Sequence, residues 1–174
     1  MTDVENVVPE HATDTEARRL GLQSVFVAGP FFRLVDPVTK TMRPQDRERF
    51  EHLIGYFEDS GCQVFNAHKR EKWGEQFLEP EDFTKLDFDE IAASDVLVAV
   101  PGPPASLGTH IELGWASALG KPIVLLLERG EDYALMLYGL RHIVPTAIVE
   151  TVDGRFPLPA LEAALASVCR PDGR

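Results

Sequence analysis

The sequence predicts an α/β fold, a single doubly wound, Rossmann- or flavodoxin-like domain around a five-stranded, mainly parallel sheet. Three observations carry this. Short apolar runs alternate with segments whose apolar residues recur every three to four positions, the pattern of buried parallel strands joined by covering helices. Three loops directly follow such runs, at Gly29-Pro30, Asn66-Ala67-His68 and Pro101 to Gly108. At 174 residues without an internal repeat, the chain fits one domain with a sizeable core.

Residues 1 to about 22 are polar and acidic without sustained periodicity and read as a flexible N-terminal tail, leaving residues 23–170 as the folded domain. Ser24 to Ala28 is a short apolar strand. Pro44 to Gly61 carries a helical stripe at Phe50, Leu53, Ile54 and Phe57, with Pro at its start and Gly at its end. Cys62 to Asn66 is a second strand, Pro80 to Ser94 a helix and Asp95 to Val100 a buried-type strand. Thr109 to Leu119 is a helix closed by Gly120, followed by a strand over Pro122 to Leu127. Glu131 to Leu140 reads as a short helix and Thr146 to Glu150 as an edge strand. Pro157 to Val168 closes the chain as an amphipathic helix, with Leu158, Leu161, Leu165 and Val168 on one face.

Sheets of this kind bind ligands outside the carboxyl ends of their strands, where the strand order reverses. The three loops named above are therefore predicted to converge on one site.

Composition excludes several classes of function. No apolar run approaches the roughly 20 residues of a membrane span, and the N-terminus lacks a signal-peptide layout, so the cytoplasm is the predicted location. A net charge of −11 argues against a nucleic-acid partner, which needs a basic footprint. An anionic small molecule would depend on local cations, either Arg33, Lys40, Arg43, Arg47 and Arg49 or Lys69, Arg70 and Lys72. Cys62 and Cys169 form no CxxC pair, and the five histidines form no HxH or HExxH pair. Neither a metal nor a disulfide is predicted.

Ser106-Leu107-Gly108-Thr109-His110-Ile111-Glu112-Leu113-Gly114 is the most informative segment. It crosses from a strand into a helix, and a helix N-terminus offers unpaired N–H groups and a positive dipole end to a phosphate. Glu112, read as lying in the first turn, could attack a sugar carbon. Thr109-x-x-Glu112 also matches a capping box, so both readings of Glu112 stand. Phe83, Asp87 and Ile91 are spaced by four and share a helix face, and an Asp on an apolar stripe needs a partner or a function. Asp89 and Glu90 read as surface charges and Asp95 as a structural turn residue. Ser106 beside Gly108 suits a phosphate contact, and Phe31, Phe32 or Trp73 could stack on a base.

Taken together, Val27-Ala28-Gly29-Pro30-Phe31, Leu86 to Ile91 with Asp95, and Ser106 to Gly114 resemble the nucleoside 2-deoxyribosyltransferase superfamily over about Val25 to Leu127. Within it the chain looks most similar to the small CMP N-glycosidases of the blasticidin S and mildiomycin pathways. Leu34-Val35-Asp36-Pro37, Asn66 to Gly74, Pro104-Ala105-Ser106 and Leu125 to Arg129 carry that similarity. The resemblance implies a homodimeric, cofactor-free hydrolase that splits CMP, with dCMP or hydroxymethyl-CMP as further substrates, into cytosine and ribose 5-phosphate. Glu112 falls at the family's nucleophile and Asp87 at the carboxylate assisting base departure. Ser106 falls where nucleotide hydrolases hold the 5′-phosphate and transferases carry an acid.

Phe32 departs from the mildiomycin pattern, which has Arg there, and this favours plain CMP. The partner-subunit serine of another nucleotide hydrolase has no counterpart in Ala134-Leu135-Met136. Gly108 and Thr109 complete the expected phosphate cradle, with Arg33 or Arg70 adding charge. Gly29, Phe31 and Phe32 are expected around the base, and His68 among the substrate-binding residues. Deoxyribosyl transfer, hydrolysis of another nucleotide, and non-catalytic nucleotide sensing remain the alternative functions. A cytokinin phosphoribohydrolase of the lonely-guy type also has Gly-Thr-x-x-Glu, but its two-glycine approach is replaced here by Gly102-Pro103-Pro104.

Overall fold

Five short apolar strands assemble into one sheet, seen in a computed structural model that describes residues 14–170. They are Ser24–Ala28 (β1), Gln63–Phe65 (β2), Val96–Ala99 (β3), Ile123–Glu128 (β4) and Thr146–Thr151 (β5). Their order is β2-β1-β3-β4-β5, and every neighbouring pair is parallel. The expected sheet is therefore present, and it is wholly parallel.

Among the described residues seven α-helices accompany the strands: Glu16–Arg19 (α1), Pro44–Asp59 (α2), Ala67–Arg70 (α3), Pro80–Ala93 (α4), Leu107–Ala118 (α5), Leu135–Gly139 (α6) and Leu158–Cys169 (α7). Alternation along the strands divides the core in two. Val25, Val27, Val96, Val98, Val124 and Leu126 point to the face covered by α2 and α7. Phe26, Ala28, Leu97, Ala99, Ile123 and Leu125 point to the face covered by α4 and α5. Each fully buried Leu, Ile, Val or Phe contributes about 1.5–3 kcal/mol relative to exposure, which is why apolar strands with one-sided helices settle on this arrangement.

Local contacts move several boundaries. Within the segment predicted as a tail, α1 packs against the core: Ala17 is fully buried, and Thr15 Oγ1 donates to Ser60 Oγ at 2.6 Å. Residues 1–13 of that segment lie outside the described residues. The helix expected over 131–140 shortens to α6 plus a 3₁₀ turn at Leu140–His142. The Tyr133 hydroxyl accepts from Glu128 N–H at 2.7 Å and donates to the Gly102 carbonyl at 3.2 Å. This holds residues 131–134 against the sheet end and outside any helix.

Asp95 has the structural role expected of it, accepting from the N–H groups of Gln23 and Ser24 at 2.7 and 2.9 Å. It thereby pins the start of β1 beside β3. The chain runs from β1 to β2 on one side and returns to β3 on the other, so the sheet's switch point lies between β1 and β3.

Candidate active site

At this switch point a cavity of about 310 Å³ opens between the loops after β1, β2 and β3 and the helices α4 and α5. Nine of the residues expected there line it: Gly29, Phe31, Phe32, Arg33, Asp87, Ser106, Gly108, Thr109 and Glu112.

The N-terminus of α5 forms one end. Ser106 is the N-cap, and its Oγ accepts from Thr109 N–H at 3.2 Å. The helix thus begins at Leu107, two residues before the expected Thr109, which sets aside the Thr109–Glu112 capping box and moves Glu112 out of the first turn. Because an accepting hydroxyl still carries its own proton, Ser106 can donate to a ligand. The first intrahelical bond runs from His110 to the Ser106 carbonyl. Leu107 and Gly108 N–H therefore have no acceptor inside the helix, as expected of a first turn. Thr109 N–H, expected to face the ligand, is taken by the cap, while its buried Oγ1 has no partner. A Cβ on Gly108 would meet only Ser106 Oγ, at 3.9 Å, so the space above this helix end is open.

Glu112 lies one turn deeper. Its Oε2 is shielded from solvent and has no hydrogen-bond partner. Burial, with the negative charge of Asp87 adding to it, pushes its carboxyl up to about 8. Asp87 is 7% exposed, on the α4 stripe that also carries Phe83 and Ile91. Arg70 Nη2 donates to its Oδ1 at 2.7 Å. Burial raises the Asp87 carboxyl above its ordinary range and the guanidinium opposes that rise.

Two expected residues are absent from the lining. His68 is 1% exposed, packed against Phe31 and Phe50, with Nε2 donating to the Pro30 carbonyl at 2.9 Å. Its burial pulls the imidazole down to about 4, so it is a neutral strut beneath the β1 loop. Arg70, expected to face the phosphate, spends its guanidinium on carboxylates: Asp87, Glu90 at 2.6 Å and, more distantly, Glu71 at 3.6 Å. Glu90 is therefore half-buried and paired rather than a surface charge. Trp73, a stacking candidate, is 8% exposed in the core beneath the Arg47 guanidinium. Arg43, Arg47 and Lys69 are each held by a carboxylate. Arg33 lines the cavity and makes no ion pair among the described residues.

The other end is aromatic. Phe31 and Phe32 lie with centroids 5.8 Å apart, and Phe83 lies 6.5 Å from Phe32. Phe32 remains 63% exposed, a face that a planar ligand could cover. Gly29 is dictated by packing, because a Cβ there would lie 2.4 Å from Phe50 Cζ.

Sequence reasoning missed Glu71 and Phe83, which also line the cavity. Phe83 was legible as part of the Asp87 stripe. Glu71 stands between Arg70 and Lys72, and nothing in its sequence neighbourhood singles it out. Among the described residues no cluster of His, Cys, Asp or Glu side chains could hold a metal ion, and no helix is long and apolar enough to cross a membrane.

The nucleoside 2-deoxyribosyltransferase family model matches residues 25–156. Among solved structures the chain is similar to BlsM, with 45% identity over 89% of this chain and 99% of that one, at a TM-score of 0.74. It is also similar to the CMP N-glycosidase BcmB of Clostridium botulinum, with 35% identity over 81% and 99% of the two chains and a TM-score of 0.62. A 2-deoxyribosyltransferase from Bacillus psychrosaccharolyticus shares the fold at 24% identity, over 74% and 86% of the chains, with a TM-score of 0.54. No curated protein matches the chain.

Proposed function

The chain belongs to the nucleoside 2-deoxyribosyltransferase family, and from that premise we propose that it is an N-glycosidase cleaving CMP to cytosine and ribose 5-phosphate. The observation that carries this reading is the α5 N-terminus. A serine hydroxyl and two N–H groups without an acceptor inside the helix adjoin a cavity that also holds Glu112, whose Oε2 has no hydrogen-bond partner among the described residues. Such an end attracts a phosphate, whereas an acidic side chain in place of Ser106 would repel it. Arg33, without an ion pair among the described residues, adds a cation to the cavity wall.

In the proposed reaction ionised Glu112 attacks C1′ of the ribose, the C1′–N1 bond breaks, and its electron pair leaves with the cytosine. Asp87, directly or through a water, supplies the proton that makes the base a neutral leaving group. Water then opens the ribosyl–Glu112 ester, as in retaining glycosidases. Mutual repulsion between Glu112 and Asp87 favours keeping one proton on the pair, and the departing base requires one proton. Phe31, Phe32 and Phe83 would flank the base.

Support for CMP in particular comes from the CMP N-glycosidase among the similar structures and from Phe32, which offers no donor to a hydroxymethyl group. We also propose a homodimer. The exposed apolar side chains of Phe88 on α4, Ile111 on α5, Leu119 just after α5, and Leu135 and Met136 on α6 support an interface, which sedimentation would test.

Incubation with CMP, dCMP, cytidine and AMP, following free base by chromatography, tests the function. Cytosine from CMP is expected, and none from the Glu112→Ala variant, which still binds CMP. Release from deoxynucleosides only with a second base present would mean transfer. Saturable binding without any release would mean a sensor.

A further inference from the structure

We infer that Glu71 selects the base: its free oxygen accepts a hydrogen bond from the exocyclic amine of cytosine and repels the carbonyl that uracil carries at the same position. The assignment rests on the CMP N-glycosidase reading above and supplies its specificity.

Glu71 is 3% exposed and lines the cavity. Its Oε2 accepts from Leu78 N–H at 3.2 Å, which fixes the carboxyl against the segment leading to α4. The Arg70 guanidinium stands 3.6 Å from Oε1, beyond hydrogen-bond distance, because its two terminal nitrogens are engaged by Asp87 and Glu90 at 2.7 and 2.6 Å. Arg70 thus offsets the local charge without occupying Oε1. That oxygen keeps an acceptor site, and Glu71 has no other side-chain partner among the described residues.

Topology sets which part of a nucleotide meets it. The strand order β2-β1-β3 puts the loop after β2, which carries Glu71, on the opposite side of β1 from the loop that enters α5. A phosphate at the α5 end, with C1′ near Glu112, directs the base toward the loops after β1 and β2. Phe31, Phe32 and Phe83 line that end, and they offer faces rather than hydrogen bonds. With Asp87 occupied in proton transfer, polar recognition of the base edge falls to Glu71.

An ionised carboxylate is acceptor-only. Cytosine presents N4–H donors and is a known partner of acidic side chains, whereas uracil presents the O4 acceptor. One position therefore supplies both the attractive and the repulsive element that discrimination needs. A contact of this kind is worth roughly 10–100-fold in selectivity.

The test measures kcat/KM for CMP and UMP with wild type and with Glu71→Gln. Gln can retain the Leu78 contact and can turn its NH₂ toward O4. The expected result is a CMP preference of about 100-fold in wild type. The variant should lose at least about tenfold of it, with UMP cleavage rising in absolute terms. General damage to the site would slow both substrates and could not raise one.

An unchanged CMP-to-UMP ratio in the variant, with CMP still cleaved by wild type, overturns the assignment alone. Wild type that cleaves neither nucleotide overturns the hydrolase reading and the assignment with it. If Glu71→Gln melts far below wild type, Glu71→Asp replaces it. Asp keeps the charge but withdraws the oxygen, so CMP should weaken while UMP stays unimproved; equal rates for CMP in wild type and Glu71→Asp would overturn the assignment.

Discussion

Arg70 Nη2 donates to Asp87 Oδ1 at 2.7 Å across the gap between α3 and α4, and the same guanidinium holds Glu90 at 2.6 Å. One cation thereby balances the acidic wall of the cavity. Removing one partner of a buried pair leaves the other charge uncompensated, at about 3–5 kcal/mol. Arg70→Gln should therefore lower unfolding free energy by about 3 kcal/mol, since the side chain is partly exposed. Urea denaturation measures this, and a loss below about 0.5 kcal/mol would mean the pair is solvated.

The carboxyl of Glu112, held up to about 8, predicts an unusual stability profile. In the unfolded chain the group ionises at its ordinary value of 4.5, so between 4.5 and about 8 the folded state binds more protons. Stability attributable to this side chain is therefore unimpaired below 4.5 and falls as pH rises toward 8, by about 1.4 kcal/mol per pH unit at most. Glu112→Gln removes the penalty. Its melting temperature should exceed that of wild type by more at pH 8 than at pH 5, and a constant difference would contradict the shift.

The same proton governs rate. A nucleophilic carboxylate must be ionised and the departing base needs the one proton of the Glu112–Asp87 pair, so kcat/KM for CMP should fall about tenfold per pH unit above about pH 8, where the pair gives that proton up. A profile flat from pH 6 to 9 would show that the pair loses no proton near pH 8 and would contradict the raised carboxyl.

Ser106→Asp separates folding from phosphate binding, because Asp is as good an N-cap as Ser. Thr109 N–H keeps an acceptor, so melting should shift little, while a carboxylate replaces the hydroxyl where the phosphate is expected. KM for CMP should rise at least about tenfold, and cytidine binding should be nearly unaffected. Calorimetric titration of both ligands measures this, and equal losses would remove the phosphate from Ser106.

Much of the architecture was legible because continuous apolar strands and helical stripes record burial directly. Ser24–Ala28 and Val96–Ala99 needed only a few consecutive apolar residues to declare themselves. The start of α5 lies two residues before the expected Thr109, since Ser106 and Thr109 are both good N-cap residues; only the hydrogen bond to Ser106 Oγ separates them. At four residues, α1 is too short for a periodicity to register.

Sequence position also could not reveal which charges tertiary packing removes from water. His68, Arg70 and Glu71 are consecutive or nearly so, all polar, and fold respectively into a strut, a charge balance and a cavity wall. Their fates depend on Phe50, Asp87 and Leu78, which lie on other segments.

The two glycines at the cavity answer to different masters. Gly29 is held by the ring of Phe50, and any side chain there collides with the core. Gly108 has open space above it, so a methyl group would be welcome to the helix and unwelcome only to a bound molecule. In a mutational library scored for both soluble yield and turnover, substitutions at Gly29 would be lost at the first screen. Those at Gly108 would pass it and be lost at the second.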